Sequence, residues 1–207
     1  MVIQEAMNSN KDLNHKRNGF TLLELTATVT IALIVVAIGA PTVVSTLRNL
    51  RSSGDTRGVF DTIAVAKMRA ASAFTRARVY FDLTANSFHV ETWRKTGSPG
   101  WVVEGGTQTL SQGVTLGFRS LGSPPPNTQG TISQAPACRD NGGGSIANTA
   151  CIVFNSRGVP IDSSGAPTGV DAIYVSDGSS VYATTISAMG SIQAWRSDTK
   201  AAAWKKQ

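Results

Sequence analysis

An apolar stretch from Phe20 to Val44, interrupted by Glu24 and several threonines, begins directly after Gly19 and a polar leader carrying Lys11, Lys16 and Arg17. About 20 apolar residues cross a bilayer as helix, so this stretch is long enough to span one. The order of the parts narrows the choice. A secretory signal places its small-residue cleavage site after the apolar region, whereas here a glycine precedes it. No Ala-x-Ala site follows, although Gly39 and Ala40 keep a cut near Pro41 open. Pro41 removes a backbone donor within the helical run and predicts a kink or local melting there, or else marks the membrane exit.

The run Gly19, Phe20, Thr21, Leu22, Leu23, Glu24, Leu25 resembles the processing signature of type IV prepilins and type II secretion pseudopilins. The resemblance implies cleavage between Gly19 and Phe20 by a prepilin peptidase, N-methylation of the new Phe20 amine, and a span retained for assembly with other pilins or pseudopilins. A carboxylate in an apolar stretch is costly unless paired or able to reach water. In the family the glutamate matching Glu24 neutralises the terminal amine of a neighbouring subunit, which makes Glu24 the candidate for assembly register; snorkelling to the headgroups is the alternative. For Pro41 the resemblance implies a point where the helix extends inside a filament.

The formal net charge is +6, and after Gly19 the basic surplus falls within Arg48 to Arg78, where seven Lys and Arg stand against Asp55 and Asp61. Such a stretch fits anionic lipid, an acidic partner or nucleic acid, with a solvated face the commoner explanation. Positive charge on both sides of the span (Lys11, Lys16, Arg17 against Arg48, Arg51, Arg57) leaves orientation undecided by the positive-inside rule. The cleavage motif and the cysteines decide it: N-terminus cytoplasmic, single pass through the inner membrane, head periplasmic and then in an extracytoplasmic filament. Cys138 and Cys151 flank the Gly-rich stretch from Asp140 to Gly144 and lack the spacing of a zinc site or a C-x-x-C pair. A disulfide between them would stabilise the head by roughly 3 kcal/mol; two free thiols are the alternative.

The chain therefore divides into residues 1–19 as leader, 20–44 as transmembrane and assembly helix, 45–78 as amphipathic stem helix, and 79–207 as a β-rich head. Phe60, Ile63, Ala64, Met68, Ala71 and Phe74 recur at helical spacing and predict the packed face of the stem. Ser52, Ser53, Gly54 and Asp55 predict a bend or restart. Alternating segments predict strands at residues 79–83, 88–93, 101–103, 114–118, 151–154, 172–175, 181–186 and 191–195, with a long loop over 121–150. The expected fold class is α+β, a long N-terminal helix packed on an antiparallel sheet. The segments 152–158 and 171–196 resemble the GspH/FimT group of minor pilins and pseudopilins.

No catalytic constellation, metal cluster or nucleotide motif is apparent, and no cofactor is expected. His89 falls in a predicted strand, and Asp82 and Glu91 lie on the same expected hairpin, where they could face each other as solvated surface carboxylates more readily than as a catalytic pair. The expected function is mechanical: a minor pilin that joins or primes a type IV pilus, with a pseudopilin of a type II secretion system as the alternative. A second alternative is DNA uptake through Arg196, Lys200, Lys205 and Lys206, where cations alternate with Trp195 and Trp204. A solvated, frayed tail is the competing reading of those residues.

Overall fold

The computed structural model describes residues 19–199 and 201–207, with Pro41, Ala201 and Ala202 described in the backbone alone. Leader residues 1–18 and Lys200 lie outside the described residues. The chain divides into two units, Met1–Val44 and Ser45–Gln207.

In the first unit, Gly19 to Thr21 precede helix α1, which runs Leu22–Ser72 and continues into the second unit. Thr21 caps it. The Thr21 hydroxyl accepts a hydrogen bond from the Glu24 N–H at 3.2 Å, and the Leu25 N–H donates to the Thr21 carbonyl at 3.0 Å. Thr-x-x-Glu at these positions is the capping-box pattern, and an acidic side chain in the first turn complements the helix dipole. The threonines that interrupt the apolar stretch are satisfied internally: Thr26, Thr28 and Thr30 donate to the Leu23, Leu25 and Thr26 carbonyls at 2.9, 2.9 and 2.7 Å. This removes most of their cost in hydrocarbon. The backbone stays helical at Pro41, so the expected local melting is not present.

In the second unit α1 neither breaks nor restarts at Ser52 to Asp55, because the polar side chains there are satisfied without leaving the helix. Thr56 donates to the Ser52 carbonyl at 2.7 Å. The Asp55 carboxylate accepts from the Ser111 N–H and hydroxyl at 2.9 and 3.0 Å. The helix also stops earlier than the expected residue 78. Phe74 takes φ +48, the Phe74 N–H donates to the Ala71 carbonyl and the Thr75 N–H to the Ala70 carbonyl. This is a Schellman ending with phenylalanine where glycine is usual. Phe74 is 75% exposed and packs little. Phe74→Gly is therefore expected to raise stability by roughly 0.5–1 kcal/mol, read as a thermal midpoint a few degrees higher; an unchanged or lower midpoint would show that the phenyl ring is held.

Ten strands follow: β1 Ala77–Asp82, β2 Ser87–Arg94, β3 Gly100–Thr109, β4 Thr115–Leu116, β5 Thr149–Phe154, β6 Pro160–Ile161, β7 Ala172–Ser176, β8 Ser180–Ile186, β9 Ile192–Asp198 and β10 Ala201–Lys206. They form two antiparallel five-stranded sheets, ordered β3-β2-β1-β5-β6 and β10-β9-β8-β7-β4. The fold is thus α+β, with two sheets where one was expected. The main core joins Val59, Ile63, Ala66 and Ala70 of α1 to Val79 and Phe81 of β1, Ile152 and Phe154 of β5, and Ile173 and Val175 of β7.

The buried face of α1 is not the one predicted. Ser52, Thr56, Val59, Ile63, Ala66 and Ala70 are buried at alternating intervals of four and three, whereas Met68 is 62% exposed. Of the predicted stripe only Ile63 is buried. Small side chains win that face because they let the helix lie close to the sheets; Phe60 and Met68 are too large for it. A second cluster, Leu121, Ile132, Tyr174, Val181 and Ala183 with Trp195 and Trp204 against it, covers the far side of the second sheet. This explains why β7 and β8 are buried along their whole length.

Residues 117–148 hold no named strand, as expected of a long loop, yet they are tied down. The Ala135 N–H donates to the Ala172 carbonyl and the Cys151 N–H to the Pro136 carbonyl, both at 2.8 Å. Cys138 and Cys151 form a disulfide, with sulfurs 2.01 Å apart. Cys138→Ser is expected to cost roughly 3 kcal/mol in the loop-entropy account and to lower the thermal midpoint by several degrees. A midpoint matching that of the wild type under oxidising conditions would contradict it.

Candidate functional site

Gly19 and Phe20 lie just ahead of α1, and Glu24 lies in its first turn, four residues after Phe20. Among the described residues nothing pairs with the Glu24 carboxylate, while its backbone N–H donates to the Thr21 hydroxyl. Every described side chain from Gly19 to Val44 is exposed, including Phe20, Leu22 and Leu23 at 80% or more. α1 is long and apolar enough near the N-terminus to cross a membrane. The arrangement is an apolar rod whose one acidic side chain, Glu24, stands four residues from the predicted new amino terminus.

The C-terminal cations are arranged differently from a single patch. Residues 201–206 form β10, so the frayed-tail reading is overturned: β10 pairs with β9, and the Gln207 N–H donates to the Ala194 carbonyl at 2.9 Å. Lys205 lies opposite Arg196 and Lys206 opposite Trp195. Neighbouring strand residues point to opposite faces, so Arg196 and Lys205 share one face and Lys206 takes the other. Arg196 donates to the Ser180 hydroxyl at 3.2 Å and lies 5.5 Å over the Tyr182 ring, while Lys206 sits 5.9 Å from Trp195. The indoles are engaged as well, Trp195 Nε1 with the Thr185 hydroxyl at 3.0 Å and Trp204 Nε1 with the Ser123 carbonyl at 2.9 Å. Lys200 lies outside the described residues.

On the first sheet, Asp82 and Glu91 do not face each other; Asp82 lies opposite Ser87 and Glu91 opposite Arg78. Arg78, 3% exposed, pairs with Glu91 through Nε, donates from Nη1 to the Arg139 carbonyl at 2.6 Å, and lies 4.1 Å over Trp101. Burial holds its guanidinium below its ordinary value, partly offset by Glu91. His89 stacks on Tyr80 with ring centroids 5.0 Å apart. These groups are occupied with one another, which is the arrangement of a structural network.

Sequence reasoning missed Asp171. It is 5% exposed, and burial, with Asp162 adding a smaller push, raises its carboxyl to about 6. The folded state thus binds a proton more tightly than the unfolded chain, so the stability this group allows is full below about pH 4 and is lost as pH rises through about 6. Asp171→Asn is expected to stabilise the protein by on the order of 2 kcal/mol at pH 7 and by little at pH 4. Thermal midpoints at the two pH values check this, and an equal shift at both would contradict it. Its burial is a product of the fold, which the local sequence does not signal.

Three comparisons with known proteins bear on these features. The family model for the prokaryotic N-terminal methylation motif matches residues 14–40. No curated protein matches the chain. Among solved structures, the minor pseudopilin EpsH from the Type 2 Secretion System of Vibrio cholerae is similar at 12% sequence identity and a TM-score of 0.44, covering 70% of this chain and 95% of that one. The chain thus carries the prokaryotic N-terminal methylation motif at the head of an exposed apolar helix, and that one long N-terminal helix is joined to antiparallel sheets in an α+β fold.

Proposed function

We propose that the chain is a GspH/FimT-like minor pilin, cut by prepilin peptidase between Gly19 and Phe20, methylated at Phe20, and incorporated into, or priming, a type IV pilus. The observation that carries this reading is the methylation motif with Glu24 inside it, its carboxylate without a partner among the described residues, in the first turn of an apolar helix. Residues 20–44 hold the subunit in the inner membrane, N-terminus cytoplasmic, with the head periplasmic where the Cys138–Cys151 disulfide forms and persists. Other pilins are the partners, meeting through the same helix. Pairing Glu24 with the Phe20 amine of a neighbour sets register, because a subunit docked one step out leaves both charges uncompensated. Pro41 supplies the point at which the helix extends on assembly.

Deleting the gene tests the assignment to a machine. Loss of surface pili with secretion of extracellular enzymes intact is the expected phenotype, restored by the full-length gene. Loss of secretion with pili intact would overturn it in favour of a type II secretion pseudopilin.

A further inference from the structure

We propose that a cleft on the outer face of the first sheet binds an extended peptide segment of a partner protein, bringing an acidic side chain to Arg76 and a basic one to Asp171. The cleft holds about 360 Å³ and is lined from Trp101 on β3 to Ile161 on β6, with residues 136–145 along its rim. Its charged groups can be accounted for one by one. Arg78 is paired with Glu91. Arg139 donates to the Gly143 carbonyl at 2.7 Å, and Asp140 accepts from the Gly142 and Gly144 N–H groups at 2.8 and 2.7 Å. Asp162 accepts from Ser164 and Ala166. Two groups are left over, and they are of opposite sign.

The first is Arg76, an exposed guanidinium held 4.6 Å over Trp93, with no carboxylate partner among the described residues. Trp93 is itself braced edge to face by Trp101, ring centroids 5.3 Å apart. The second is Asp171, a 5% exposed residue whose carboxylate accepts no hydrogen bond among the described residues and keeps its oxygens open to the cleft it lines. A carboxylate largely withdrawn from water with no protein donor gains from a cationic guest that reaches it through the cleft.

The spacing selects the guest. Arg76 precedes β1 and Asp162, beside Asp171, follows β6, two strands across and about three residues along by the pairing register. That separation is on the order of 10–15 Å. An extended peptide rises about 3.3 Å per residue and presents alternate side chains on one face, so an acid and a base four residues apart fit. A neutral saccharide lacks the charges. It would also compete for ring faces on which the protein's own guanidinium groups already lie, Arg76 on Trp93 and Arg78 on Trp101.

Titration of full-length protein in a nonionic polyoxyethylene detergent with the capped peptide acetyl-Glu-Ser-Val-Ser-Lys-amide, followed by calorimetry, tests this. Saturable binding is expected, weakened at least about tenfold when either peptide charge is replaced by glutamine, and equally by Arg76→Gln or Asp171→Asn. The pairing has its own signature: a peptide lacking the lysine should no longer distinguish Asp171→Asn from wild type. Absence of saturable binding, equal affinity for the charged and neutralised peptides, or saturation by chitotriose in place of the peptide would each overturn the proposal.

Discussion

Glu24→Ala is expected to leave cleavage after Gly19 intact while lowering incorporation into filaments by roughly a hundredfold. Two roles for Glu24 predict different magnitudes. As a first-turn acid at the capping-box position it stabilises the helix by about 0.3–1 kcal/mol, too little to alter assembly much. As the partner of a neighbour's Phe20 amine, its loss leaves an ammonium uncompensated in apolar surroundings, a cost of about 3–5 kcal/mol. At about 1.4 kcal/mol per tenfold change, that is a factor of a hundred or more. Glu24→Gln separates the roles further, since it keeps the shape and removes the charge; it should fail like alanine. Immunoblots of membrane and sheared-filament fractions measure both steps, and normal filament levels of either variant would refute the pairing.

Arg78→Ala is expected to cost the head about 3–5 kcal/mol, a fall in thermal midpoint of roughly 10 °C or more. The cost comes from the groups left stranded. Glu91 is 8% exposed and loses its guanidinium partner, the Arg139 carbonyl loses its donor, and Trp101 loses the cation over its ring. Replacing both partners with apolar residues, Arg78→Met with Glu91→Leu, should recover most of the loss, because no charge is then left buried alone. Calorimetric midpoints of the single and double variants decide the matter; a double variant as unstable as the single would show that the network matters through its hydrogen bonds to the 136–145 segment.

What was legible in the sequence was local. The contrast at Gly19 and the carboxylate at Glu24 lie within seven residues of one another and needed no tertiary information. Strand segments such as residues 151–154 and 181–186 were visible because runs of β-branched and aromatic residues mark them whatever their neighbours. The rest depended on partners distant in sequence. The two-residue strand β6 has no periodicity to read, and β10, rich in alanine and lysine, looks like tail until Trp204 finds Tyr174 and the Ser123 carbonyl. The face of α1 was misjudged because hydrophobicity favoured Phe60 and Met68, while close packing favoured Ser52, Thr56, Ala66 and Ala70. The pairing of Arg78 with Glu91, in place of the expected Asp82 with Glu91, follows from hairpin register. Nothing in the sequence marks Asp171 for burial; only the closure of the fold withdraws it from water.

The account stands on the apolar rod being kept, with its amino end exposed beside Glu24. Intact-mass and N-terminal peptide mass spectrometry of the protein purified from its native membrane measures this directly. The expected product begins at Phe20 with one added methyl group on its amine and retains residues 20–44. A mature chain beginning near Pro41, with the rod removed, would contradict the account and make the head an exported soluble protein.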